Sequence, residues 1–410
     1  MMNKVLMEKY ADLLVRTGVN LQVDQTLIIE SPIDCAEFAR LVSEKAFEAG
    51  AGDVICHYND PVYQKIRANH LCEEKISEVL DWQKESLDYY LRQGACSLML
   101  TSPQPYLMSD MNASKAGALQ TFTNDLRNVI RGRIATDHVQ WCIAAVPNQK
   151  WAEAIMPDVN KDKVLDEFWA LLFKLAYVDE TSDANDNWRE NAKHRQRLTE
   201  KLDEFHLDSI HMTSSNGTDI TFGFHEDYSW GSKKKEDSKE IKYSPNIPTE
   251  EVCTSPDKYR TNGIVYSTKP LMLGGKIVDQ FSIRFENGKV VEVHAEKGEE
   301  LLKDIIDQDE GSSYLGEVAL VPYHSPISES GLVYFNTLID ENASCHIALG
   351  KGFPNTVGVT SQDPSDWEAK HLNYSSVHVD FMIGAKDTKI IGHTKEGKEV
   401  IIFENGDFAI

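Results

Sequence analysis

The chain has 410 residues, 41% hydrophobic and 26% charged, which argues against a fibrous, low-complexity or disordered protein and leaves room for roughly two or three globular domains. Its 42 basic against 65 acidic residues give a formal net charge of -23, so nucleic-acid phosphates and anionic lipid surfaces are repelled rather than gathered. Seven scattered cysteines without a Cys-x-x-Cys pair argue against a disulfide framework, and with no signal-type leader and no apolar run near ~18 residues a cytoplasmic protein that avoids membranes is expected.

Along the chain, apolar residues at helical spacing run from Glu8 to Thr17 and stop at Gly18, after which Gln25 to Glu30 reads as a short strand. A helix over Cys35 to Glu48, ended by Gly50 and Gly52, leads into a second strand at Asp53 to Tyr58. This β-α-β unit implies a parallel sheet. The theme continues with a charged helical stretch from Glu73 to Gln93, a strand at Ala95 to Leu100, a polar helix near Ser114 to Ile130 and a strand at Gln140 to Val146. No glycine-rich phosphate loop accompanies it, because Gly50-Ala51-Gly52 precedes a strand instead of following one.

Between Asp179 and Phe205 the chain is polar with helical spacing, and after His206 strand signals take over. Ile210 to Phe224 reads as two strands around Asn216-Gly217, and Asp279 to Ala295 as a hairpin around Asn287-Gly288; Asn405-Gly406 repeats that signal. Glu299 to Asp307 is a helix among them. Gly231 to Lys242, with its run Lys233-Lys234-Lys235, reads as an exposed loop or linker and not as a nucleic-acid patch. The expected architecture is an α/β N-terminal domain with a parallel or mixed sheet over residues 1–205, followed by a β-rich α+β domain over residues 206–410 that carries a metal site.

Residues suited to chemistry gather in the second half. In Ser375 to Ile383 the residues Val377, Val379 and Phe381 form one apolar strand face, and His378 and Asp380 share the other because side chains two apart point the same way. His346 lies in the apolar run Ala343 to Gly350, where a single histidine is more often a packed, hydrogen-bonded core residue, and its neighbour Cys345 points to the opposite face. Glu317 interrupts the apolar strand Tyr314 to Val321, where a charge is costly unless paired or bound to metal. Glu250 and Glu251 are consecutive: an extended backbone turns only one of them toward a site, whereas Thr249 before acidic residues equally suits a helix cap. Glu341 belongs to the loop-type sequence Asp340-Glu341-Asn342. Two imidazoles with several carboxylates suit zinc, cobalt or manganese, and a carboxylate can bridge two such ions roughly 3.5–4 Å apart, which favours a two-metal hydrolase.

Four segments in order, Asn246 to Val252, Tyr314 to Leu320, Asp340 to Ala343 with His346 to Ala348, and His378 to Gly384, resemble the thermophilic metalloaminopeptidases of the aminopeptidase T/S type. Glu8 to Leu14 and Gly18 to Asn20 extend the resemblance to essentially the whole chain. It implies that Glu251, Glu317, Glu341, His346, His378 and Asp380 hold two divalent ions with Glu317 shared, and Glu250 remains the alternative to Glu251. Glu317 and Glu250 are the candidate catalytic carboxylates. The family also uses a tyrosine shortly after the His346 motif, where this chain has Phe353 before Pro354, so that role goes unassigned.

The activity so implied is hydrolysis of the first peptide bond of peptides with a free N-terminus, by a metal-activated water and a nearby carboxylate that passes the proton to the leaving amine, in a homodimer. One competing reading is a non-haem iron oxygenase, since two histidines and a carboxylate form a facial triad. Here, however, His346 precedes the His378-x-Asp380 pair, the reverse of the order expected of such enzymes. The other is a non-enzymatic metal- or ligand-binding protein with an acidic surface.

Overall fold

Alternating aliphatic strands and amphipathic helices in the first half pair into a parallel sheet, as consecutive β-α-β units require. A computed structural model describes residues 3–137, 139–231, 241–273, 276–361 and 363–410; the Lys233-Lys234-Lys235 run lies outside them. The strands are β1 (Thr26–Pro32), β2 (Asp53–Asn59), β3 (Cys96–Thr101), β4 (Trp141–Ala145) and β5 (Asn246–Ile247). Their order is β2-β1-β3-β4-β5, every pair parallel. The short β5 enters from far along the chain, and the Ile143 N–H donates to the Pro245 carbonyl at 2.7 Å to seat it.

The helices differ from the sequence reading in several places, among them the unforeseen Gln149–Ile155 and Val164–Leu175. The charged stretch after Glu73 forms two helices, Glu73–Ser77 and Asp81–Arg92, because Leu80 is extended and the Gln83 side chain accepts its N–H at 3.0 Å. An additional helix, Pro61–His70, precedes them. Its start is a local signal: Asp60 accepts the N–H groups of Val62 and Tyr63, and Pro61 sits where a missing N–H costs nothing. Tyr10 anchors the interior of this unit, fully buried with its ring stacked on Phe38 at 5.5 Å and its hydroxyl donating to the Ala145 carbonyl at 2.9 Å.

Contacts divide the chain into two units, one running to Asn191 and taking in the segment that ends at Pro248, the other beginning at Ala192 and including Thr249–Ile410. In the second unit the hairpins signalled by Asn-Gly form. Leu207–Thr213 pairs with Asp219–Gly223, and Lys276–Glu286 with Lys289–Lys297. Asn287 and Gly288 have φ of 49° and 83°, as a primed turn needs, and a Cβ on Gly288 would lie 1.7 Å from the Lys258 carbonyl oxygen. These strands belong to a nine-stranded sheet.

A separate four-stranded antiparallel sheet is built from β6 (Val252–Thr254), β7 (Leu315–Leu320), β8 (His346–Gly350) and β9 (His378–Met382), in the order β9-β8-β7-β6. One of its faces, with Val318, Leu320, Ile347, Leu349 and Phe381, joins Ile210, Phe222, Phe281 and Ile283 of the larger sheet in one apolar cluster. The Phe381 ring lies 5.2 Å from that of Phe281. Each such side chain contributes about 1.5–3 kcal/mol by leaving water, so this face fixes which way the strands turn. A bulge then adjusts β7: Leu315 pairs with Leu349 but Glu317 pairs with Ala348. Gly316 is the extra residue, and a Cβ there would come within 2.2 Å of the Lys351 carbonyl oxygen. Leu315 therefore faces the core while Glu317, two residues on, faces the opposite side.

Candidate metal centre

The face of the small sheet turned away from the core gathers the acidic and imidazole side chains. Glu317 on β7, Ala348 on β8 and Asp380 on β9 are opposite one another in register. Because Ala348 carries only a methyl group, it leaves space between two carboxylates whose backbones stand about 10 Å apart. His346 is two residues before Ala348 and His378 two before Asp380, so strand periodicity puts both imidazoles on that face. Val379 and Phe381 point the other way, into the core.

These residues form two overlapping triads, Glu251–Glu317–His346 and Glu317–His378–Asp380, in each of which the ligand-type atoms all lie within 4.8 Å of one another. Glu317 Oε1 is 3.8 Å from His346 Nε2, and its Oε2 is 3.2 Å from His378 Nε2. Each oxygen of one carboxylate thus faces a different imidazole. Glu251 Oε2 is 3.4 Å from His346 Nε2, and Asp380 Oδ1 is 3.4 Å from His378 Nε2. The remaining ring nitrogens bond to the backbone, His346 Nδ1 to the Ser344 carbonyl at 3.3 Å and His378 Nδ1 to the Lys351 carbonyl at 2.8 Å. A carbonyl partner assigns one proton to Nδ1, which leaves each Nε2, facing the carboxylates, as the atom that either carries a second proton or gives its lone pair to a metal.

Electrostatics show how crowded the site is with negative charge. The Glu317 side chain is 4% exposed and that of His346 1%. Burial raises the Glu317 carboxyl, with His378 opposing and Asp380 adding to the rise. Burial lowers the His346 imidazole, but its contact with Glu251 and the charge of Glu317 outweigh that and lift it to about 9. Burial also opposes the charge on His378, yet Asp380 and Glu317 hold its imidazole well above the ordinary value, while Asp380 itself is held low chiefly by His378. Protons on the two histidines therefore stand in for cations in the metal-free site. This donor set, carboxylate oxygens plus two oriented imidazoles, fits divalent transition metals.

The other acidic residues take different positions. Glu341, in the short turn Glu341–Ala343, belongs to neither triad. Burial and the nearby Asp380, Glu251 and Glu317 push its carboxyl well above the usual range. The backbone from Thr249 to Glu251 is non-helical, and Glu251, not Glu250, contributes to a triad. Glu250 is buried, its N–H donating to Asn342 Oδ1 at 2.7 Å. Cys345 faces the core, its thiol 3.5 Å from the Val321 carbonyl.

The sequence reading did not single out Cys253, although the signal was present two residues after Glu251. In register it is opposite Ala319, which is opposite His346, so it shares the acidic face. Burial, Glu317 and Glu251 raise its thiol well above the ordinary value. The Phe353 ring, named earlier only for the missing phenol, lies 5.3 Å from the His378 ring, and its N–H donates to Ser255 Oγ at 2.8 Å.

Metal-free protein is expected to lose stability as pH rises. His346 is raised from 6.5 to about 9, so its contribution is complete below pH 6.5 and gone once pH passes about 9. His378 and the raised carboxyls Glu317 and Glu341 act in the same direction, while Asp380, lowered from 3.8, matters only in acid. For His346 alone the change is on the order of 3 kcal/mol, or roughly 5–10 °C of melting temperature in a unit of this size. Melting curves of chelator-treated and cation-supplemented protein at pH 6.5 and pH 9 check this, and a gap that does not widen with pH contradicts it.

Comparison with known proteins bears on the same chemistry. Aminopeptidase 2 of Geobacillus stearothermophilus is 36% identical over 405 residues, covering 98% of this chain and 97% of that protein. The solved structure of wild-type AmpT from Thermus thermophilus superposes with a TM-score of 0.89 at 30% identity, covering 99% of this chain and all of that one (100%). A 2,5-dihydroxypyridine dioxygenase from Pseudomonas putida KT2440 shares the fold at a TM-score of 0.51 and 12% identity, over 99% of this chain and 96% of that one. A profile of the thermophilic metalloprotease family (M29) matches residues 3–408. With that match running almost end to end, the chain belongs to the thermophilic metalloprotease family M29.

Proposed function

We propose that the protein is a metalloaminopeptidase that cleaves the N-terminal peptide bond of peptides with a free amino terminus at a centre of two divalent ions. The observation that carries this reading is Glu317, whose two carboxylate oxygens face different imidazoles and so join two triads into one site. Glu251, Glu317 and His346 would hold one ion, and Glu317, His378 and Asp380 the other. Zinc, cobalt and manganese all suit these donors. Bound ions would supply a water acidified toward neutral pH and polarise the scissile carbonyl.

The chain's own groups do the rest. The Ser344 and Lys351 carbonyls hold the two imidazoles so that neither can rotate away from the carboxylates. Glu341, close to the carboxylates of both triads and a member of neither, is the group that takes a proton from the attacking water and delivers it to the leaving amine. The candidate Glu250 is the weaker choice for that step, since its neighbour Glu251 is the one that joins a triad, whereas the charges of Asp380, Glu251 and Glu317 all bear on Glu341. The surplus of carboxylates favours an ammonium end of the peptide over an acylated one. A homodimer in the cytoplasm is part of the same proposal and rests on the family resemblance and on composition. Among the described residues no helix is long and apolar enough to cross a membrane.

Chelation is expected to abolish release of the first amino acid from unblocked peptides, and added zinc, cobalt or manganese to restore it. N-acetylated versions of the same peptides are expected to resist cleavage. Equal cleavage of free and acetylated peptides would rule out an aminopeptidase, and activity that survives complete metal removal would rule out the metal centre.

A further inference from the structure

Four of the six candidate ligands stand in strands, where ladder register holds them: Glu317, His346, His378 and Asp380. Glu251 precedes β6 and Glu341 lies in a short turn, so no ladder positions either one. A side-chain amide joins their two segments. Asn342 is fully buried (0% exposed); its Oδ1 accepts the Glu250 N–H at 2.7 Å and the Thr249 hydroxyl at 3.2 Å, while its Nδ2 donates to the Leu338 carbonyl at 3.1 Å. Glu250 and Asn342 are 92 positions apart in sequence, yet one directly precedes Glu251 and the other directly follows Glu341. The Thr249 carbonyl is held in turn by Arg195 Nη1 at 2.8 Å.

We infer that Asn342 is a positioning residue for the Glu251 side of the centre. It aligns the Glu251 carboxylate with His346 and Glu317, and it acts on the ion of that triad without touching any ligand atom of the other. A buried amide whose donor and acceptor are both engaged resists replacement, because truncation leaves the Glu250 N–H without its partner. Outer partners of metal ligands typically govern affinity by about 10–100-fold. This inference rests on the two-ion reading of the site.

The test is a cobalt(II) titration of metal-free full-length protein, followed by equilibrium dialysis and by the visible absorption of bound cobalt. Wild type is expected to take up two ions. Asn342→Ala is expected to weaken one site by about 10–100-fold and leave the other unchanged, with the absorption of a single site lost. Asn342→Asp keeps an acceptor for the Glu250 N–H but loses the donor to the Leu338 carbonyl, so its weakened site is expected to fall between those of Asn342→Ala and wild type. Equal weakening of both sites, or no change at either, overturns the assignment. If Asn342→Ala does not fold, Asn342→Ser decides in its place, its hydroxyl being too short to reach the Glu250 N–H. Uptake of fewer than two ions by wild type overturns the two-ion reading itself, and the inference with it.

Discussion

Glu317→Gln is expected to remove peptidase activity almost entirely, lowering kcat/KM by on the order of 10³-fold or more, and to reduce bound metal from two ions to fewer than one. Glu317 is the sole carboxylate common to both triads, each of its oxygens facing its own imidazole. An amide keeps the shape but offers one neutral oxygen in place of two charged ones, so in the proposed centre neither ion retains its shared ligand. Losing metal assistance costs several kcal/mol of transition-state stabilisation, and each 1.36 kcal/mol is tenfold in rate. The metal-free variant is expected to melt no lower than metal-free wild type, because burial already disfavours the Glu317 charge. Metal analysis alongside steady-state kinetics checks both halves of the expectation. Two ions retained by Glu317→Gln would show that Glu317 is not shared.

Phe381→Ala is expected to be the most damaging change away from the ligands. The side chain is fully buried beside Asp380 but on the opposite face, packed against Phe281 in the cluster that joins the two sheets. Truncating a buried phenylalanine costs about 3–5 kcal/mol, or roughly 10 °C in a unit of this size. The same packing orients β9, so His378 and Asp380 lose their fixed direction and metal affinity is expected to fall with stability. Phe381→Leu leaves most of the volume filled and is expected to fall between the two. Thermal melts and cobalt titration of the three proteins measure this; a melting temperature of Phe381→Ala within about 2 °C of wild type would mean the core does not orient the strand.

The shared fold of a dioxygenase at 12% identity shows how little architecture alone says about chemistry. What separates the readings is the donor set. The facial triad of an iron oxygenase needs two histidines and one carboxylate, whereas here Glu251 adds a third carboxylate to the triads and the charges of Asp380, Glu251 and Glu317 bear on a fourth, Glu341. The family match over residues 3–408 agrees with the hydrolytic choice.

Several features could be read directly from the residues because their cause is local. Alternation along Val377 to Phe381 assigns His378 and Asp380 to one face whatever the rest of the chain does. Asn287-Gly288 specifies a hairpin because both residues take up positive φ, and in the Asn216-Gly217 turn Gly217 does so. The β-α-β rhythm of the first 150 residues requires a parallel sheet. Other features have no local cause. The bulge at Gly316, which separates Leu315 from Glu317, exists because β7 must satisfy the core on one side and approach the Lys351 carbonyl on the other. Which of Glu250 and Glu251, identical and adjacent, joins a triad is visible only in the fold, where the Glu250 N–H donates to Asn342, 92 residues away. Likewise β5, two residues of the parallel sheet, has no periodicity to betray it, since only pairing with β4 makes it a strand. Periodicity and turn chemistry act between neighbours and leave their mark in the sequence. Long-range register and a buried hydrogen bond are settled only when distant segments pack together.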